Sequence, residues 1–217
     1  MSKLILHELT ISPNNVKVRI GLGYKGLDYE RRPLEFGATG PDRAHLVKLS
    51  RQTRTPVLEH GDTVIYDSNG ILRYLDANFP DTPTLYTEDH EEMGKIEQLE
   101  LWARTDLSKP IGMIFGQAFS PKQDAAVGVE ASSMINELTA KIEKSLESND
   151  YLLGSTPTGA DLATGPLIRL AMLSEEGAKI APPITTVFHQ MLQLGEGRER
   201  TRAWVNRLHE YDAVDLG

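Results

Sequence analysis

The sequence has 217 residues, enough for one large domain or two small ones. Hydrophobic residues make up 40% and charged residues 25%, as in ordinary globular proteins, and no apolar run is long enough to cross a bilayer. The net charge of -8, without a clustered basic stripe, argues against nucleic acid as a partner. The sequence contains no cysteine, which excludes disulfides, thiolate metal sites and a protein-thiol redox centre.

The first segment predicts a strand, a helix and a second strand. Residues 3–9 alternate as in a strand and show no signal-peptide pattern, so we expect a cytoplasmic protein without a membrane partner. Ser12 as N-cap and Pro13 at the first helical position predict an amphipathic helix that ends at Lys25-Gly26. Residues 27–34 then return to a strand pattern, which favours a parallel βαβ unit. Spacing alone makes Ser12-Pro13 simply a good helix start.

Residues 55–75 carry the most informative pattern of the chain. A proline at a strand entrance, Thr55-Pro56, precedes two short β runs that a His-Gly-Asp turn separates. A helix follows, with Asp67 and Ser68 placed to cap its start. A helix start exposes unpaired N–H groups and partial positive charge, so we expect a compact polar site here that suits a small zwitterion. The local pattern by itself favours a trans proline at the strand entrance.

This pattern resembles the glutathione-binding half of the cytosolic glutathione S-transferases. In that family a cis-proline precedes a hairpin, and Glu or Asp is followed by Ser, a small residue, Ile and finally Tyr-Leu, here Tyr74-Leu75. The chain departs from the pattern at Gly70, where the family usually has Ala. The resemblance implies that the Thr55–Pro56 bond is cis and that the Thr55 backbone pairs with a peptide-like ligand. It also implies that Asp67 and Ser68 bind the γ-glutamyl end of glutathione, with Asp67 facing its ammonium.

The resemblance also implies how the glutathione thiol is activated. Serine-using members place a catalytic Ser at the start of the first helix, where this chain has Ser12. A bacterial group instead has Thr-Pro-Asn there and uses the Asn, which corresponds to Asn14. Both alternatives stay open, and we favour Ser12 because it leads the helix. The implied mechanism uses no metal: Ser12 donates a hydrogen bond to the sulfur, and the helix start favours the thiolate.

The family usually binds the glycine end of glutathione with a Lys or Gln from a loop that reads like Asn-Pro-x-Gly-Lys. Residues 50–54 of this chain read Ser-Arg-Gln-Thr-Arg, so that motif is absent. Gln52 and Arg54 are the residues of this loop that could bind the glycine carboxylate instead, and the sequence does not choose between them.

Turn-forming residues with Pro80 and Pro83 separate a mixed strand and helix region from a helical one. We assign residues 1–80 to a thioredoxin-like glutathione-binding domain, 81–87 to a linker, and 88–217 to an all-helical domain that contributes the second-substrate pocket. Apolar stripes predict helices over 88–107, 125–146, 183–194 and 198–211. Thr158 and Asp161 have the spacing of a capping box before a buried helix. This last segment resembles the family's structural motif in the helical domain.

The stretch 108–120 is unusually apolar for an irregular segment. Because the family's matching helix lines the electrophile pocket, we take Met113, Phe115 and Phe119 as candidates for the pocket wall. A kinked core helix is the alternative.

The resemblance implies a glutathione transferase that activates the thiol for conjugation, isomerisation or disulfide reduction of a small electrophile. It also implies a homodimer in which the helix over 88–107 forms part of the contact. The alternative is a non-catalytic binding or interaction module, which the lost loop motif and Gly70 favour. The set Ser12, Thr55-Pro56 and Asp67-Ser68 speaks against that alternative. A glutaredoxin-like redox protein is excluded because the chain has no cysteine.

Overall fold

The computed structural model describes residues 2–37 and 41–215. The chain divides into two compact units, one of Met1–Tyr86 with Tyr211–Val214 and one of Thr87–Glu210 with Asp215–Gly217. The first unit contains strands and helices, whereas the second is helical. Among the described residues, none of the helices has the length and hydropathy needed to cross a membrane.

The first unit is built on a mixed four-stranded sheet in the order β2-β1-β3-β4. The strands are β1 Leu4–Glu8, β2 Tyr29–Pro33, β3 Val57–His60 and β4 Thr63–Tyr66. β1 and β2 are parallel, while β3 runs antiparallel to both β1 and β4. The predicted parallel βαβ unit and the following hairpin are therefore both present.

Three helices cover the two faces of this sheet. They are α1 Pro13–Tyr24, α2 Pro41–Ser50 and α3 Ser68–Asn78. Alternate strand residues point to opposite faces, so each face has its own apolar cluster. One cluster joins the sheet to α1 and α3 and consists of Leu4, Leu6, Val18, Leu22, Leu58, Ile71 and Leu75. The other joins the sheet to α2 and consists of Leu34, Leu46 and Val57.

Helix α1 differs from the predicted amphipathic helix because residues 15–22 are all buried. Its charged side chains have buried partners. Arg19 contacts Glu8 on β1 through Nη1 at 2.5 Å, and its Nε and Nη2 donate to the Asp212 carboxylate at 2.7 and 2.8 Å. The helix therefore needs no solvent-facing side for its charges.

Residues 211–214 group with the first unit, whereas the sequence analysis placed them with the helical region that follows residue 88. The reason is physical contact. Asp212 binds the buried Arg19, and the Tyr211 ring meets the Tyr24 ring edge-on with centroids 5.2 Å apart. Sequence position could not show this, because Arg19 and Asp212 are 193 positions apart.

The second unit begins with α4 His90–Trp102, a π-helical turn Ala103–Leu107 and α5 Ser108–Ala118. The apolar stretch 108–120 is therefore helical over most of its length. The π-turn continues the helix from α4 into α5, and Pro110 follows the end of this turn by three positions. The remaining helices are α6 Ala125–Ser145, α7 Gly159–Arg169, a 3-10 turn Gly177–Lys179, α8 Ile184–Met191 and α9 Glu199–His209.

The predicted capping motif at the start of α7 is present. The Asp161 carboxylate accepts a hydrogen bond from the Thr158 backbone N–H at 2.8 Å. The same buried carboxylate also accepts from the Leu152 N–H at 2.8 Å and from the Trp204 indole at 2.9 Å. Asp161 therefore connects the loop before α7, α7 itself and α9, and its role is structural.

Two glycines of the first unit make a matched pair for a stability test. A Cβ on Gly70 would come no closer than 3.8 Å to its neighbours, whereas a Cβ on Gly23 would lie 1.9 Å from the Tyr211 carbonyl oxygen. We expect Gly70→Ala to stabilise the protein by about 0.5 to 1 kcal/mol, because Gly is a poor helix former. We expect Gly23→Ala to destabilise it by about 1 to 3 kcal/mol through overpacking. Urea unfolding followed by circular dichroism measures both, and a destabilised Gly70→Ala would contradict this packing.

Candidate functional site

A cavity of about 810 Å³ opens in the first unit beside the start of α1. This volume is in the range of small-molecule sites. Its polar wall residues are Ser12, Arg43, Thr53, Arg54 and Thr55. Its apolar wall residues are Leu9, Phe36, Ala44 and Val47.

Ser12 occupies the N-cap position of α1, as the sequence predicts. Its backbone is extended, and its carbonyl oxygen accepts hydrogen bonds from the Asn15 and Val16 N–H groups at 2.8 and 3.0 Å. Its side chain, however, makes no capping hydrogen bond. Ser12 therefore lies in the cavity wall and starts the helix with its backbone, while its hydroxyl does not serve as the cap.

A polar network joins α1 to the start of α3. The Lys17 ammonium donates to Ser68 Oγ at 3.1 Å and to Asn69 Oδ1 at 2.6 Å. Ser68 Oγ in turn donates to Asn14 Oδ1 at 3.3 Å. Lys17 and Ser68 are both buried. The network places one positive charge beside the hydroxyl of Ser68, and it holds the Asn14 side chain next to α3.

Asp67 caps α3, as the sequence predicts. Its Oδ1 accepts hydrogen bonds from the Asn69 and Gly70 N–H groups, both at 3.0 Å. Its φ of 72° is uncommon for a residue other than glycine, and Asp is among the residues that adopt it most readily. Asp67 is exposed, so its carboxylate charge is open to a ligand.

The Thr55–Pro56 peptide bond is cis, as the resemblance implied. Thr55 lies two residues before β3, outside the register in which β3 pairs with β1. Its Oγ1 accepts a hydrogen bond from Asn15 Nδ2 on α1 at 3.1 Å. Helix α1 therefore holds the side chain of Thr55 in the cavity wall.

The loop that replaces the family's glycine-end motif also reaches this cavity. Arg54 lies in the cavity wall, and Gln52 is half-buried in the same loop. Arg43 on α2 fixes the loop, since its Nη1 donates to the Thr53 carbonyl at 2.6 Å.

Sequence reasoning missed four polar residues that organise this region, namely Asn15, Lys17, Arg43 and Asn69. The one sequence signal for Lys17 is its position between Val16 and Val18 in an apolar helix. A lysine buried at such a position needs a polar partner. The other three have no local signal, because each acts on a segment distant in sequence or on a loop carbonyl.

The predicted pocket residues Met113, Phe115 and Phe119 lie in the second unit, on α5 and its C-cap. Phe115 and Phe119 are 39% and 53% exposed, and their ring centroids are 5.2 Å apart. They form an exposed aromatic pair within that unit.

Comparison with known proteins identifies the first unit. Residues 6–83 match the family described as "Glutathione S-transferase, N-terminal domain". This segment therefore has the sequence pattern of that N-terminal domain. The resemblance inferred from the sequence is therefore confirmed, and every site residue of the first unit described above lies within the matched segment.

Two plant relatives illustrate the extent of the similarity. Glutathione S-transferase 1 of Dianthus caryophyllus is 37% identical over 83 residues, which cover 38% of this chain and 38% of the relative. The match therefore spans less than half of that glutathione S-transferase. Glutathione S-transferase 3 of Zea mays is 27% identical over 166 residues, which cover 74% of this chain and 75% of the relative.

Solved glutathione S-transferase structures share the whole fold. The theta class glutathione S-transferase from Xanthomonas axonopodis pv. citri, solved with glutathione bound, has a TM-score of 0.75 at 21% identity and covers 100% of both chains. At this identity the likeness establishes the fold. The predicted thioredoxin-like domain followed by a helical domain is confirmed.

Proposed function

We propose that this protein is a glutathione S-transferase that binds glutathione in the cavity beside α1 and activates its thiol for attack on a small electrophile. The observation that carries the proposal is Ser12, which lies in the cavity wall and whose hydroxyl makes no capping hydrogen bond. The family of residues 6–83 and the glutathione bound in the Xanthomonas relative support the choice of ligand.

The proposed role of Ser12 is to stabilise the thiolate. A free thiol has a pKa of about 8.5, so only a small fraction is ionised at neutral pH. A hydrogen bond from Ser12 and the partial positive charge at the start of α1 both favour the anion, which lowers the pKa of the thiol. The thiol proton goes to solvent and the thiolate forms a bond to the electrophilic centre. The electron pair of the bond that breaks there goes to a departing group, as in a haloarene or a mixed disulfide, or to an atom that stays attached and takes a proton from solvent, as in an epoxide or a maleyl compound.

The remaining site residues bind the two ends of the tripeptide in this proposal. The exposed Asp67 carboxylate faces the γ-glutamyl ammonium. Ser68, with the Lys17 charge 3.1 Å from its hydroxyl, binds the γ-glutamyl carboxylate. The Thr55 backbone pairs with the cysteinyl peptide unit. Of the two glycine-end candidates, the position of Arg54 in the cavity wall favours it over Gln52.

The second candidate function is a non-catalytic binding or interaction module. The rice elongation factor 1-gamma 2, which is not named as a transferase, is 29% identical over 161 residues that cover 73% of this chain and 38% of the relative. The missing Asn-Pro-x-Gly-Lys motif also favours this candidate. The Ser12 hydroxyl in the cavity favours the enzyme.

Calorimetry and a turnover screen separate the two functions. We expect glutathione to bind the protein and to react with at least one of a haloarene, an epoxide, a maleyl compound and a mixed disulfide. Binding without turnover on any of the four would favour the module. Absence of glutathione binding would contradict the transferase function.

Ser12→Ala and Asn14→Ala decide which residue handles the sulfur. If Ser12 donates to the thiolate, its loss removes about 1.5 to 3 kcal/mol. This corresponds to a rise of about 1 to 2 units in the pKa of bound glutathione. We expect little change in Asn14→Ala, because its Oδ1 accepts from Ser68 instead. Thiolate absorbance against pH measures the midpoint in both variants. An unchanged midpoint in Ser12→Ala with a raised one in Asn14→Ala would reverse the assignment.

Asp67→Asn and Asp67→Ala separate binding from capping. Asn keeps a side-chain oxygen for the Asn69 and Gly70 N–H groups but removes the charge. We expect Asp67→Asn to weaken glutathione binding about 5- to 30-fold and to leave the stability nearly unchanged. Loss of one partner of a desolvated charge pair typically costs about 2 to 5 kcal/mol of binding free energy, and we expect a smaller loss here because Asp67 is exposed. Asp67→Ala should lose the same affinity and also about 1 kcal/mol of stability. Calorimetry on both folded variants tests this, and unchanged affinity in Asp67→Asn would contradict the charge pairing.

We also propose that the protein is a homodimer with α4 in the contact. Leu101 on α4 is 50% exposed, which leaves an apolar side chain for such a contact. Light scattering at micromolar concentration should give twice the chain mass of 24.1 kDa. Leu101→Glu should shift the mass toward the monomer, whereas Leu101→Met should not. A monomer mass for the wild type would rule the dimer out.

A further inference from the structure

Three potential metal ligands meet on the face of the sheet that α2 covers. His7 on β1 and Glu59 on β3 point to this face, and His45 lies on α2. His7 Nε2 and Glu59 Oε1 are 2.6 Å apart, and the His7 and His45 ring centroids are 5.7 Å apart. One ligand atom from each of the three residues lies within 4.8 Å of the other two. None of these residues has a role in the function proposed above.

We propose that His7, His45 and Glu59 form a zinc-binding site. Two imidazoles and one carboxylate are a donor set that Zn²⁺ accepts, with bonds of about 2.0 to 2.2 Å. The observed spacing needs only small side-chain shifts to reach that geometry. His7 is 3% exposed and therefore fixed in position, whereas His45 is exposed on its helix and can turn toward the ion.

A cavity of about 520 Å³ gives an ion access to His7 and His45. His7, His45 and Asp42 lie in its wall. Asp42 precedes His45 by three positions on α2, so the two side chains project from one face of the helix. The Asp42 carboxylate is thus a candidate for the fourth ligand, with water as the other choice.

The charges around the site limit which metal it takes. Arg31 and Arg32 also lie in the cavity wall, and their positive charges weaken the binding of a cation. Each is paired with a carboxylate, Arg31 with Glu8 at 2.5 Å and Arg32 with Glu30 at 2.8 Å. Arg32 Nη1 is 3.9 Å from Glu59 Oε1 as well. An ion must therefore gain much from imidazole coordination, which favours Zn²⁺ over Mg²⁺ or Ca²⁺.

A hydrogen bond between His7 and Glu59 accounts for the arrangement of these two residues without a metal ion. It does not explain His45, whose ring lies beside the pair from a different element. Zinc would connect all three and attach α2 to the sheet. Because the ion binds only the folded arrangement, it should also raise the unfolding temperature.

The test uses untagged full-length protein freed of metal with a chelator and contains no glutathione. Zn²⁺ is titrated against a chromophoric chelator, Co²⁺ is added as a spectroscopic probe, and thermal unfolding is followed with and without Zn²⁺. We expect one Zn²⁺ per chain, a visible Co²⁺ spectrum of a four-coordinate site, and a rise in the unfolding temperature.

Three variants make the assignment specific. His45→Ala changes an exposed side chain, and we expect it to weaken Zn²⁺ binding at least about tenfold and to abolish the rise in unfolding temperature. Glu59→Gln keeps an acceptor for His7 but removes the anionic ligand, and we expect a similar loss. His90→Ala removes an exposed histidine of the other unit and should change nothing.

Absence of stoichiometric Zn²⁺ binding to the wild type would overturn the proposal, as would equal affinity in His45→Ala. Because no glutathione is present, such a result would leave the proposed transferase function untouched.

Discussion

The first unit depends on one buried arginine. The Arg19 side chain is fully buried and lies between two carboxylates, Glu8 of β1 and Asp212 of the C-terminal segment. Its Nη1 also donates to the Thr10 carbonyl at 3.0 Å, in the connection between β1 and α1. Removing one carboxylate would leave a buried charge incompletely paired, which typically costs about 3 to 5 kcal/mol. Arg19 thus fixes the strand, the helix and the loop that leads to Ser12.

The burial of α1 explains how the polar residues of the site are arranged. Because residues 15–22 are all buried, the polar side chains within them must find partners in neighbouring segments. Asn15 finds Thr55 and Lys17 finds Ser68, which are the two segments that the resemblance assigns to glutathione. The contacts that Asn15 Nδ2 and the Lys17 ammonium make are therefore the same contacts that position the candidate binding residues.

The sequence predicted those parts of the structure whose causes are local. The hairpin, the cap at Asp67 and the capping motif at Asp161 follow from turn and capping chemistry within a few residues. The cis bond at Pro56 needed the family resemblance, since local statistics favour trans. The contacts of Lys17 with Ser68 and of Arg19 with Asp212 could not be predicted, because the partners are 51 and 193 positions apart. The π-turn before α5 likewise has no local signal that we could read.

The fold itself accounts for most polar residues of the candidate site. Asp67 caps α3, Asn15 holds Thr55, and Lys17 joins α1 to α3. A protein that used this fold only to bind a partner would need the same residues, so their presence does not distinguish an enzyme from a binding module. Ser12 is different, because the helix uses its backbone and makes no cap from its side chain. An alanine could start the helix with the same backbone bonds. The distinction between enzyme and module therefore depends on what the Ser12 hydroxyl does to a bound thiol.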